Sequence, residues 1–188
     1  AVLDPLRLII DNYPAGKEEL SEAPNHPQKP EWGHRPLPFS RELWIERDDY
    51  RDEPSPGYYR LAPGAEVRLR YAYVVKCLGY DEASGTVRCI YYEDSKSGTP
   101  GADRYKVKGN IHWVSVRHAH AADVRLYDRL FIKPDPDTAE EGKSFKDYLN
   151  PNSVEILDDC RVEPALAQAA PGAVYQFERL GYFCADIK

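Results

Sequence analysis

Methionine does not occur once in the 188 residues. A chain without it reads as a piece excised from a longer protein, although removal of a first methionine by processing would leave the same trace. Long apolar runs are missing as well. Nothing approaches the ~18 consecutive residues that a membrane-spanning helix requires, so none is expected. The opening AVLDPLRLII has no basic n-region and no small-residue cleavage site, which argues against a secretory leader. Cysteine is scarce, and Cys77, Cys89, Cys160 and Cys184 stand at no metal-motif spacing. Each lies in an apolar or mixed strand-like run. All four are therefore expected to be reduced and mostly buried, which favours a cytoplasmic location. Basic charge is in deficit: 25 Lys and Arg against 31 Asp and Glu leave a net −6, unlike an indiscriminate nucleic-acid binder. A local basic site is still allowed, because charges further apart than about 8 Å are screened at physiological salt.

Helix signals are sparse, with short candidates at 48–52, 144–149 and 163–170. Strand signals are abundant. Period-two or β-rich runs fall at 5–12, 41–47, 66–78, 86–92, 105–114, 123–131, 153–158 and 173–184. GYDEASG (79–85) predicts a hairpin loop, and the proline-rich EAPNHPQKPEWGHRPLPF (22–39) predicts an extended surface loop. Short strands punctuated by Gly and Pro indicate an all-β barrel or sandwich.

The chain also repeats itself. APGAEVRLRYAYVVKC (62–77) is matched by APGAVYQFERLGYFCAD (170–186), read with one extra residue after the polar pair in the second copy. Ala62-Pro63-Gly64-Ala65 recurs 108 positions later, and that offset sets Arg68 and Arg70 on Gln176 and Glu178. PLRLI (5–9) resembles DVRLY (123–127), and ELWIERDD loosely resembles SVEILDD, so a duplicated β unit is inferred. If 66–73 is one strand, Arg68 and Arg70 share a face opposite Val67, Leu69, Tyr71 and Tyr73. Equivalent strands would then present an arginine fork in one copy and an amide and a carboxylate in the other. Different flat polar ligands, such as nucleotide bases, call for such heads. The plainer alternative is exposed strand charges paired with neighbouring acids.

Other constellations carry less. His118 and His120 have no third metal ligand nearby. Asp48-Asp49 and Asp158-Asp159 follow strand-like runs and read as helix-start or turn residues. Ser115, His118 and Asp123 have no nucleophile-elbow context. No catalytic and no metal-binding residue is assigned.

NHPQKPEWGHRPLPFSRELWIERDDY, YYRLAPGAEVRLRYAYVVKC, KGNIHWVS, VRLYDRLF and YQFERLGYFC, in that order, resemble the C-terminal anticodon-binding region of the glutaminyl-tRNA synthetase family along essentially the whole chain. The resemblance implies an all-β fold of two related six-stranded-type, ribosomal-protein-like barrels with a few short helices. They would divide as 1–118 and 119–188, with the second truncated at its C-terminal end. Barrels of this family exchange first strands, which leaves residues 1–13 assignable to either one. A catalytic domain with His-Ile-Gly-His and Lys-Met-Ser-Lys type motifs would lie upstream. Neither motif occurs here, so ATP and Mg belong to the parent enzyme and this piece is expected to hold no cofactor.

By the same resemblance, Arg60 matches the reader of the third anticodon base and Arg68 that of the first, with Arg70 beside it. Gln176, Glu178 and Arg179 match the QFER word that frames the middle uracil. Tyr59 stands where bacterial relatives often carry lysine, and Tyr71 where asparagine is common. An arginine that helps hold the middle base in relatives would precede residue 1. Lys106 and Lys108 are phosphate-contact candidates. The expected partners are the anticodon loop of glutamine tRNA and the parent's own catalytic domain, in a cytoplasmic monomer without a membrane. Open alternatives are the matching region of an archaeal-like glutamyl-tRNA synthetase and a stand-alone RNA-binding barrel like the ribosomal protein that grips 5S RNA. A protein-interaction or carbohydrate-binding β module is the third.

Overall fold

The computed structural model describes residues 1–138 and 140–186. Alternation of apolar and polar residues builds the first strands. In β1 (Pro5–Ile10) Leu6, Leu8 and Ile10 are buried, and in β4 (Glu42–Glu46) Leu43 and Ile45 are. The two strands pair antiparallel, with Leu8 opposite Leu43 and Leu6 opposite Ile45, so both apolar rows face one side. Each such side chain contributes about 1.5–3 kcal/mol on full burial.

Between them, β2 (Glu19–Pro24) and β3 (His34–Phe39) form a separate antiparallel hairpin. The extended loop expected at 22–39 is therefore corrected. Pro36 and Pro38 are two apart, so their missing N–H groups fall on the same outer edge, where a ladder bond is not needed.

The run at 66–78 is not one strand either. It breaks into β5 (Glu66–Leu69) and β6 (Val74–Asp81) around a turn closed by the Ala72 N–H donating to the Leu69 carbonyl at 2.8 Å. Tyr71 sits in that turn at φ +61°, a region that side chains other than glycine seldom enter. Arg68 and Arg70 accordingly do not stand side by side on a strand face.

The sheet continues through β7 (Thr86–Tyr91), β8 (Gly109–Ile111) and β9 (Val114–Ser115), giving the order β8-β5-β6-β7-β1-β4-β9. Strands β8 and β9 occupy opposite edges, yet only His112 and Trp113 separate them in sequence. Three residue steps span at most about 11 Å, so the sheet must curl until its edges nearly meet. Inside lies a core running from Leu6 to Trp113. There Phe39 packs edge-on against Tyr13 and Trp113 with centroids 5.1–5.2 Å apart.

A smaller unit follows. Strands β10 (His120–Tyr127) and β11 (Val154–Val162) pair antiparallel, as do β12 (Val174–Phe177) and β13 (Gly181–Cys184). Val162 and Phe177 centre a second apolar cluster that Leu3, Leu166 and Phe183 complete. The short helices are all 3-10 turns, at Arg47–Asp49, Phe145–Tyr148 and Pro164–Gln168 among others. Cys77, Cys89 and Cys160 are buried free thiols and Cys184 is exposed. No helix of the described residues is long and apolar enough to cross a membrane. The chain is all-β.

The duplication is visible bond by bond. Gly64 N–H to Cys77 C=O recurs as Gly172 to Ala185, and Ala72 to Leu69 recurs as Leu180 to Phe177. Every partner is displaced by 108, so the extra residue read into the second copy is not there. Tyr71 and Arg179, also 108 apart, are the two non-glycine residues with positive φ among the described residues, at +61° and +64°.

Candidate nucleic-acid interface

The two repeated turns meet each other. Arg70 forms an ion pair with Glu178, its counterpart at the 108 offset. Equivalent positions of the two hairpins therefore touch one another. The Arg70 backbone is fixed from behind: its N–H donates to Ile111 C=O at 3.0 Å, and its C=O accepts from the Trp113 indole at 2.9 Å. Its guanidinium lies 5.1 Å from the Tyr71 ring centroid.

Arg60, upstream of the first turn, and Arg179, in the second, converge on Asp49. Arg179 donates to both carboxylate oxygens, at 3.1 and 2.9 Å, and Arg60 Nη1 lies 3.2 Å from Oδ1. Asp49 is 0% exposed, whereas the two arginine side chains are 38% and 35% exposed. Arg60 also donates to Asp48 C=O, as does the Tyr58 hydroxyl.

Around Arg60 opens a cavity of about 290 Å³ whose lining includes Tyr58, Tyr59, Lys106, Lys108 and Gly109. Tyr59 is 55% exposed, and Lys108 Nζ stands 4.8 Å from its ring centroid. An exposed phenol ring beside two lysines and a guanidinium offers a stacking face and cationic groups together, the combination that holds an unpaired nucleotide. Gly109 keeps the cavity's rear wall tight, because a Cβ there would come within 2.3 Å of Tyr59 C=O.

Arg68 is placed differently. It donates to Ser95 C=O at 2.8 Å, Ser97 Oγ at 3.2 Å and Ala102 C=O at 3.1 Å, clamping the loop at 93–104 onto β5. On the same face the Tyr92 hydroxyl donates to Glu66, and Tyr92 stacks on Tyr105 at 5.1 Å. Gln176 is exposed on β12, opposite Tyr182. Neither Arg68 nor Gln176 hydrogen-bonds to another candidate among the described residues. The structure thus joins Arg60 with Tyr59, Lys106 and Lys108, joins Arg60 with Arg179, and joins Arg70 with Glu178. Sequence pattern does not single out Asp49, which reads only as a helix-start or turn residue. It does sit in the 3-10 turn, but no local spacing signals a partner 130 positions away.

Comparison with known sequences fits this layout. Two families, both described as the anti-codon binding domain of class I tRNA synthetases (E and Q), match residues 1–94 and 110–186. The chain belongs to this family of anticodon-binding domains. Among curated relatives it is 57% identical over 190 residues to the glutamine–tRNA ligase of Cupriavidus taiwanensis, covering 99% of this chain and 32% of that protein. It is 56% identical over 192 residues to that of Bordetella avium (100% and 32%), and 54% identical over 191 residues to that of Nitrosomonas europaea (100% and 34%). The chain spans about a third of the length of the curated relatives it matches.

Proposed function

We propose that this chain is the tRNA-anticodon-binding part of a glutamine–tRNA ligase, in which the parent enzyme uses ATP to attach glutamine to its tRNA. The observation that carries the reading is the junction of the two repeats. Two partly exposed guanidiniums, one from each repeat, are anchored on one buried carboxylate beside a cavity lined by tyrosine and lysine. Loop bases splayed from their stack can be read on their edges by such forks and stacked on such rings. Arg60 then reads the third letter, and Arg179 with Gln176 and Glu178 frames the middle one. Arg68 and Arg70 serve the first letter, Arg68 chiefly by holding the 93–104 loop in place, while Tyr59 offers the stacking face and Lys106 and Lys108 grip the backbone.

ATP and Mg belong to the catalytic part of the parent, and this chain supplies binding energy that makes charging depend on the anticodon. The enzyme acts as a cytoplasmic monomer, with the two units dividing near residue 118. The test is aminoacylation by the full-length ligase. Arg60→Ala should cut discrimination against a wrong third letter by about 5- to 150-fold, the worth of one good bidentate base contact. Equal loss on every anticodon variant would instead make Arg60 a phosphate contact.

A further inference from the structure

Asp49 has two ties to the first repeat and one to the second. Its C=O accepts from Leu61 N–H at 2.9 Å, so the turn at Arg47–Asp49 and the segment carrying Arg60 are one backbone unit. Its carboxylate takes Arg60 on Oδ1, and Arg179 of the second repeat on both oxygens. Buried and fully enclosed, this carboxylate carries a desolvation cost that the two cations offset together, so removing either leaves it less well compensated. Without its negative charge, the two guanidiniums would face each other and repel. Among the described residues Arg60 donates only through Nη1 and Arg179 only through its two Nη atoms, so further N–H groups on both forks remain for a ligand.

We propose that Asp49 is a positioning residue shared by the readers of the third and middle anticodon letters. It fixes the two forks relative to each other across the repeat junction, so discrimination at the two letters rises and falls together. This role rests on the anticodon assignment made above.

The experiment titrates the full-length ligase with fluorescent stem-loop RNAs carrying the glutamine anticodon, a wrong middle letter or a wrong third letter. The proteins are wild type, Arg60→Ala, Arg179→Ala, the double variant and Asp49→Asn. In Asp49→Asn an amide N–H must meet an arginine N–H, so both specificity ratios should fall, each by at least about fivefold. In the arginine cycle, the double variant should depart at least about threefold from the product of the single effects. Uniform weakening on all loops with the ratios intact, or loss at one letter only, overturns the proposal and leaves Asp49 a purely structural anchor. If Asp49→Asn does not fold, the arginine cycle decides alone, and multiplicative effects overturn it. If neither arginine variant alters any ratio, the anticodon assignment itself fails, and the role of Asp49 with it.

Discussion

Glu19 offers the sharpest test of how the first unit is held together. Its carboxylate, with 18% of the side chain exposed, accepts from the hydroxyls of Tyr13 at 2.9 Å and Tyr73 at 2.7 Å. It also meets Lys17 and Lys96 at 2.6 and 2.7 Å. Burial alone would push its pKa up, but the hydrogen bonds from Lys17, Lys96, Tyr73 and Tyr13 outweigh that and hold it down to about 2, against an ordinary 4.5. A carboxylate whose folded pKa is depressed contributes stability that is complete above the unfolded pKa and is lost as pH falls through the folded one. The window here runs from 4.5 down to about 2. At about 1.4 kcal/mol per pH unit the contribution is at most about 3 kcal/mol, and solvent reaching the two lysines reduces it to about 2.

Glu19→Gln should therefore lower stability at pH 7 by about 2 kcal/mol, a fall of roughly 4–8 °C in Tm for a chain of this size. Urea denaturation from pH 7 to pH 2.5 should show the gap between wild type and variant constant down to about pH 5, then closing. A variant as stable as wild type at pH 7, or a gap that persists undiminished at pH 2.5, would refute this account of Glu19.

Gly109→Ala should destabilise the chain by about 1–3 kcal/mol, because its Cβ would lie 2.3 Å from Tyr59 C=O and 2.8 Å from Val67 Cγ1. It should also weaken stem-loop binding as Tyr59 is displaced; a urea midpoint equal to wild type would contradict the packing argument. Arg68→Ala removes the three bonds that clamp residues 93–104, and should cost about 1.5–3 kcal/mol. Limited proteolysis should then cut within 93–104 well before the rest, and an unchanged digestion pattern would speak against a clamp.

Much of this architecture is written in local pattern. Alternation in PLRLII, ELWIE and TVRCIY gives β1, β4 and β7 directly, since one buried face forces period two. The recurring Ala-Pro-Gly-Ala marks the duplication, because its glycines, at φ +82° and +80°, are needed to enter the same turn. The breaks inside 66–78 and 173–184 were hidden. Tyr71 and Arg179 take the positive-φ position that glycine usually announces, so the tight turns read as continuous strand. At 22–39 proline density suggested a loop, whereas the spacing of Pro36 and Pro38 keeps both on a free edge. For the site, residue types and repeat offset brought Arg70, Gln176 and Glu178 into view, and the family resemblance added Arg60 and Arg179. Asp49 depends on tertiary pairing alone, and so does the turning of Arg68 onto its own loop.

On the proposed function, the junction of the two repeats reads three unpaired letters. Equilibrium titration of the 188-residue chain against stem-loops with the anticodons CUG and UUG, and with each letter replaced in turn, tests it most directly. Binding should be salt-sensitive, tightest for the two glutamine loops and weaker when the first letter is neither C nor U or when the middle or third letter is changed. Equal affinity for all the loops at every salt concentration would contradict it.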